Sequence, residues 1–172
     1  MQRTQAIFGS TLFLILVLGL VVIYFPYIFC HWRLAPPFFG FWPVRAIGLL
    51  IFGAGLYVLL DAYVRFALQG LGTPAPVAPP SRLVVTGVYR YVRNPMYMAV
   101  LAAVWGQGLF FGNAQVIHYG LYLWAGFFAF VLCYEEPALR RKFGAEYLKF
   151  CAEVPRWIPR LNPYSPPHMH SF

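Results

Sequence analysis

Two polar stretches hold the residue types that could do chemistry. One is Tyr89-Arg-Tyr-Val-Arg93-Asn94-Pro95-Met96-Tyr97. The other starts at Glu135-Glu136, passes Leu139, Phe143-Gly144 and Tyr147, and ends in Val154-Pro155-Arg156 and Pro159. Each abuts a run apolar enough to cross a bilayer, where charge is costly unless it is paired or used. Adjacent carboxylates can accept hydrogen bonds from an amine or from ribose hydroxyls, and tyrosines can stack or donate. Aromatic faces attract a sulfonium as they attract other onium ions. Side by side, these groups suit a cationic, polar ligand that carries hydroxyls and an aromatic base. Structural roles compete with that reading. Asn94-Pro95 fits an N-cap followed by proline at the first helical position. Glu135-Glu136-Pro137 fits the start of a surface helix, favoured by the helix dipole. Arg90 and Arg93 could bind lipid phosphates.

The elements that position these stretches follow from composition. Of 172 residues, 60% are hydrophobic and 10% are charged, whereas soluble domains carry about 25% charged residues. The chain therefore reads as an all-α integral membrane protein in a single domain over residues 1–172. Its spans are expected at about 6–30, 44–68, 95–111 and 114–134, with no signal-peptide cleavage site after the first. The linker from His31 to Pro43 carries Trp32, Trp42 and several phenylalanines, as an interfacial loop does. Asp61 and Arg65, four apart near the end of the second span, read as an interfacial ion pair. The proline-rich connector at 70–80 cannot be helical. The turn signal at Phe111-Gly112-Asn113 makes the last two spans a helical hairpin, returning Asn94–Tyr97 and Glu135-Glu136 to one place. In the hairpin, Gln107 reads as a helix–helix hydrogen bond.

Leu139, Phe143, Tyr147, Phe150 and Val154 recur at helical spacing among basic residues. They predict a C-terminal amphipathic helix on the membrane surface, within an interfacial segment at 135–159. Arg3, Arg65, Arg82, Arg90, Arg93, Arg140, Arg141, Lys142, Lys149, Arg156 and Arg160 fall on one side, Arg33 and Arg45 on the other. The positive-inside rule then gives a multi-pass protein with both termini cytoplasmic. The net charge of +8 is accounted for by this clustering beside spans and anionic headgroups, with no need of nucleic acid. Cys30, Cys133 and Cys151 are odd in number and scattered, so neither a disulfide framework nor a metal site is expected, and Cys133 is expected to pack inside its helix. His168 and His170 lack a third ligand.

The order Gly87-Val-Tyr89, Arg93-x-Pro95-x-Tyr97, a hairpin, Glu135-Glu136-x-x-Leu139, Phe143-Gly144-x-x-Tyr147 and Val154-Pro155-Arg156 resembles the integral-membrane methyltransferases. These include the isoprenylcysteine carboxyl methyltransferases and the phospholipid N-methyltransferases. The likeness covers about residues 81–159. It implies S-adenosylmethionine as cofactor, held by Ser81, Arg82, Leu83, Val84, Tyr89, Asn94, Pro95, Met96, Tyr97 and Glu135, with Glu136 completing an acidic pair. A lipophilic or lipidated acceptor would enter from the bilayer. Asn94 stands where the family often has histidine. Val131 stands where prenylcysteine enzymes look to have an arginine facing the substrate carboxylate, and Arg93 or Arg156 could substitute for it.

The resemblance implies methyl transfer in the manner of an isoprenylcysteine carboxyl methyltransferase, with phospholipid amine N-methylation as the alternative. The protein would hold acceptor and methyl donor in line and exclude water, with no protein nucleophile. A carboxylate or thiolate acceptor needs no base. An ammonium must first lose a proton, to Glu135, Glu136 or a tyrosine, and catalytic residues stay unassigned. Two further alternatives are an NADPH-dependent sterol-type reductase, whose chains tend to have more spans, and a non-enzymatic membrane scaffold.

Overall fold

The computed structural model describes residues 3–70 and 82–165, and among these every regular element is helical. Ser81, most of the proline-rich connector, His168 and His170 lie outside the described residues. Helix α1 (Arg3–Leu16) passes through the π-type turns of Val17–Tyr24 into α2 (Phe25–Cys30), which stops where His31 turns left-handed. Helix α3 (Pro43–Arg65) follows and ends in π turns over Phe66–Gly70. Beyond a short turn at Gly87–Arg90 come α4 (Pro95–Phe111) and α5 (Ala114–Phe130). Helix α6 (Glu136–Glu153) continues α5 through π turns at Val131–Glu135, so no break separates them.

Where the sequence predicts four spans, two helices among the described residues are long and apolar enough to cross a membrane: Pro43–Leu68 and Ala114–Glu153, with mean hydropathies of 2.0 and 1.7. In the second, the apolar stretch gives way to charge at Glu135. Leu14–Cys30 and Pro95–Phe111 are apolar but shorter. At 1.5 Å per residue, a 17-residue helix such as α4 measures about 25 Å, short of the ~30 Å hydrocarbon core. Its length is set by Pro95 at the start and by Gly112 at the end. Gly112 has φ +68° and lies against the Pro36 carbonyl, where a Cβ has no room.

The fold is centred on the antiparallel contact of α3 with α4. Gly48 and Gly55, two turns apart, share one face of α3. A Cβ on Gly48 would sit 2.7 Å from the Gly106 carbonyl oxygen, and one on Gly55 would sit 2.8 Å from that of Ala99. The backbones therefore meet nearly directly, as small residues allow in membranes. Val22, Leu59, Ala99, Val100 and Ala103 form the core around this contact. The first helix is tied on by polar bonds to its backbone. Gln107 Nε2 donates to Val22 O at 2.8 Å, across helices as the sequence predicts. Tyr119 Oη donates to Val21 O at 3.2 Å, and Asn113 Nδ2 donates to Phe29 O at 3.3 Å. At the same end Arg45 donates to Phe110 O and Ala35 O, its guanidinium 4.9 Å from the Trp42 ring centre. Helices α4 and α5 touch where the Trp105 indole donates to Ile117 O at 3.3 Å and covers Gly120.

Two expectations are corrected. The amphipathic surface helix is not a separate element: α6 prolongs α5 and is kinked at Gly144 (φ 51°, ψ −125°), a conformation that needs a residue without Cβ. Its apolar residues Tyr147 and Phe150, with Val154, pack on Leu83, Val85 and Tyr164. Protein thus takes the place that lipid was expected to fill. Cys133 is exposed on the outside of its helix instead of packed within it.

Replacing Gly106 by alanine puts a Cβ 2.6 Å from the Phe52 backbone nitrogen and should cost ~1–3 kcal/mol by overpacking. Gly53→Ala, where nothing lies within 4 Å, should leave stability unchanged or raised. Thermal unfolding of the two variants in detergent checks the contrast.

Candidate functional site

A cavity of about 230 Å³ lies between the first helix, α3, α4 and the α5–α6 junction. One end is apolar and is walled by Leu14, Val17, Val21, Leu59, Phe127 and Phe130. The other is polar and holds Tyr89, Asn94, Tyr97, Glu135 and Glu136. Such a space can take an amphiphile along its length, and a cation with hydroxyls at its polar end.

Each polar group is positioned by a separate device. The turn that carries Tyr89 begins at Gly87 (φ +55°), where a Cβ would overlap the Arg65 guanidinium. Asp61 holds that guanidinium, accepting from Arg65 Nε at 2.8 Å. The ion pair read from the sequence is therefore present and backs the turn. Burial pushes the Tyr89 phenol up, and the charges of Glu135 and Asp61 push it further, so it stays a hydrogen-bond donor.

Asn94 occupies the N-cap position of α4, with Pro95 following, but its side chain caps nothing. Its Nδ2 donates instead to the Arg156 carbonyl at 3.1 Å, so a tertiary partner has displaced the local one. Tyr97, one turn into α4, donates to Glu135 Oε2 at 2.7 Å and packs against the Phe127 ring.

The two glutamates, adjacent in sequence, have opposite surroundings. Burial raises the Glu135 carboxyl above the ordinary range. The Tyr97 hydrogen bond opposes this and the neighbouring Glu136 charge adds to it, leaving the pKa raised. Glu136 is 4% exposed. Arg156 meets it as a fork, Nε to Oε1 at 2.7 Å and Nη2 to Oε2 at 2.9 Å. Arg93 Nη1 adds a contact at 3.0 Å, and Arg140 lies at 3.7 Å. Burial alone would raise this carboxyl, but the Arg156 hydrogen bonds and the Arg93, Arg156 and Arg140 charges together hold it below the usual carboxylate range.

Around Glu136 the segment 154–165 is laid along 90–94. Arg93 N donates to Pro155 O (2.9 Å), Arg160 N to Tyr91 O (3.0 Å) and Tyr164 N to Arg90 O (2.9 Å). Tyr164 packs edge-on to Phe150, and Trp157 stacks over Phe128.

Leu83, Val84, Tyr89, Arg93, Asn94, Pro95, Met96, Tyr97, Glu135 and Glu136 thus line one cavity. Arg82 is exposed and outside it, and Ser81 lies beyond the described residues. Arg156 stands behind the wall, bonded to Glu136. The apolar wall is what sequence reasoning missed, because Leu14, Val17, Leu59 and Phe127 look like any other span residue. Tyr63, which also lines the cavity, was the one available signal, a polar side chain two residues beyond Asp61 in an apolar helix.

A family model described as "Phospholipid methyltransferase" matches residues 44–146. Protein-S-isoprenylcysteine O-methyltransferase B of Arabidopsis thaliana is 32% identical over 84 residues, 47% of this chain and 41% of that protein. Protein-S-isoprenylcysteine O-methyltransferase of Schizosaccharomyces pombe is 30% identical over 125 residues, 72% of this chain and 52% of the relative. A probable protein-S-isoprenylcysteine O-methyltransferase of Oryza sativa subsp. indica is 35% identical over 82 residues, 47% of this chain and 42% of the relative. The chain spans about half the length, or less, of the curated relatives it matches. No solved structure matches it.

The glutamates should respond oppositely to neutralisation. The lowered pKa of Glu136 gives stability that is present above the unfolded value and lost as pH falls through the folded one. Glu136→Gln should destabilise at neutral pH by ~1–3 kcal/mol, since it leaves the largely buried Arg93 and the half-buried Arg156 without their anion, and should flatten the acid limb. The raised pKa of Glu135 makes its ionisation unfavourable to folding, so Glu135→Gln should stabilise at neutral pH and lose that gain in acid. Thermal midpoints between pH 4 and 8 separate the two.

Proposed function

This chain belongs to the phospholipid methyltransferase family, and on that premise we propose that it transfers a methyl group from S-adenosylmethionine to a lipophilic acceptor drawn from the bilayer. The observation that carries the proposal is the one cavity joining an acidic, aromatic end to an apolar end. The donor set fits the cofactor. Glu135 accepts from hydroxyl or ammonium groups, Tyr89 and Tyr97 offer aromatic faces to a cation, and Leu83, Val84 and Met96 flank them with apolar surface. We assign Leu83, Val84, Tyr89, Asn94–Tyr97 and Glu135 to the cofactor, with Glu136 beside them and held by arginines; Ser81 and Arg82 are carried from the sequence resemblance alone, Arg82 standing outside the cavity. When bound, S-adenosylmethionine supplies an electrophilic methyl group on sulfur.

The chain's own residues then orient and exclude. The apolar wall from Leu14 to Phe130 takes the acceptor's hydrocarbon, leaving its polar head at Tyr97 and Glu135. Leu14–Cys30 and Pro95–Phe111 are read as spans completed by flanking residues, α4 and α5 as a hairpin, and both termini as cytoplasmic. Residues 135–159 close the cytoplasmic side.

The names of the relatives favour isoprenylcysteine carboxyl methylation. One observation favours the second reading, an amine acceptor such as a phospholipid headgroup. Among the described residues that line the cavity, Arg93 is the one cation, and Glu136 holds it at 3.0 Å. An acceptor carboxylate would have to compete with Glu136 for it. An ammonium acceptor needs a base, and Glu135 with its raised pKa is better suited than the arginine-bound Glu136.

Calorimetric titration of S-adenosylmethionine and S-adenosylhomocysteine into the detergent-purified protein tests the assignment. Binding in the roughly micromolar range is expected, lost or strongly weakened in Glu135→Ala. Folded protein that binds neither nucleotide would sink the methyltransferase reading.

A further inference from the structure

Beyond α6 the strap 154–165 runs over the outside of the protein, yet its outer side is not polar. Its two charged side chains are engaged within the protein. Arg156 forks onto Glu136, and Arg160 donates to the Glu153 carbonyl with the Glu153 carboxylate 3.6 Å away. Among the exposed residues of 154–165 none is charged. Ile158 and Leu161 are instead 79% and 96% exposed. Bulky apolar side chains displayed side by side, with the charges turned to other uses, mark a surface that something covers.

Trp157 fixes where that surface lies. Its ring stacks over Phe128, with centroids 6.1 Å apart and planes 23° from parallel. Phe128 stands seven residues before Glu135, where the apolar stretch of α5 gives way to charge. At 1.5 Å per residue it is about 10 Å inside that stretch. Phe128 in turn meets the Trp124 ring at 5.8 Å. Leu121, Trp124, Phe128 and Leu132 recur at helical spacing and are all exposed, so they form one outward apolar face of α5 and its continuation. The strap adds to the end of this face through Trp157, and the medium that covers α5 reaches the strap as well.

We propose that the strap is an interfacial membrane anchor, with Trp157, Ile158 and Leu161 seated at the headgroup–acyl boundary of the bilayer that α5 crosses. Tryptophan beside aliphatic side chains suits that boundary. The contact is apolar and does not depend on lipid charge, because Arg156 and Arg160 already have partners. Lipid was expected on the apolar face of α6, but protein covers that face, and the strap takes over the contact. The inference rests on α5 crossing the bilayer and is independent of methyl transfer.

The test uses the full-length protein in phosphatidylcholine vesicles, with acyl chains brominated near the headgroup or left unmodified. Ile158→Trp and Leu161→Trp are made singly. Both positions are exposed, so a larger ring is accommodated. Glu146→Trp, at an exposed position of α6, is the aqueous control. The readout is the emission each variant adds to wild type. Bromolipid should quench the added emission of Ile158→Trp and Leu161→Trp about twofold or more, while acrylamide in the water quenches it little. Glu146→Trp should behave in the opposite way. Adding phosphatidylglycerol to the vesicles should change neither pattern.

Quenching of both strap variants by acrylamide and not by bromolipid would put the strap in water and overturn the proposal. Shielding from both quenchers would overturn it in favour of a protein contact, such as a second copy of this chain. Bromolipid quenching that requires phosphatidylglycerol would overturn the apolar contact in favour of an electrostatic one. Wild-type emission, to which Trp124 contributes, that bromolipid leaves untouched would fail the membrane placement of α5 and this inference with it. None of these outcomes bears on nucleotide binding, which calorimetry tests separately.

Discussion

A carboxylate buried to within 4% of full enclosure has to be neutralised where it stands, because stripping its water costs several kcal/mol or more. Glu136 meets that requirement with guanidinium groups from two distant parts of the chain, Arg93 and Arg156, and with Arg140 one turn along its own helix. The fork from Arg156 is the strong geometry for such a pair. Satisfying this one charge therefore brings together the entry to α4, the start of α6 and the strap. The polar end of the cavity lies between the first two of these and the turn that carries Tyr89, with the strap behind Glu136.

Beneath that end the packing follows membrane rules. No hydrophobic force drives helices together in lipid, so close backbone contact and a few cross-helix hydrogen bonds must hold the bundle. Gly48, Gly55 and Gly106 bring α3 and α4 together, while Gln107, Asn113 and Tyr119 attach the first helix through its own carbonyls. The first helix then stands off far enough near Leu14–Val21 for an apolar space to open beside Leu59 and Phe127. One cavity thus receives a dry wall from the bundle and a polar wall from the surface segments. That combination would suit the proposed transfer from a water-soluble donor to a lipophilic acceptor.

The glutamate pair shows how tertiary context divides roles between neighbours. Residues 135 and 136 point about 100° apart on a helix. One side chain therefore meets Tyr97 across the cavity and the other meets the arginines behind it. Burial raises the first carboxyl and paired charge lowers the second. Glu135 keeps one neutral hydrogen-bond partner, whereas both oxygens of Glu136 are taken by arginine.

What the sequence determined by itself was whatever depends on local composition and short spacing. Low charge and long apolar runs pointed to an all-helical protein with helices apolar enough to enter a membrane. Gly112-Asn113 required a tight turn, Asp61 and Arg65 could meet because four residues is one helical turn, and the motif order marked most of the polar cavity wall. The tertiary structure decided the rest. It drew Asn94 away from capping its own helix, gave Glu135 and Glu136 opposite surroundings, merged the expected surface helix into the one before it, and chose Leu14, Val17 and Phe127 from many equivalent apolar residues to line the cavity. Those outcomes turn on which groups meet across tens of residues and on how burial shifts charge. Neither quantity is a property of any local stretch of chain.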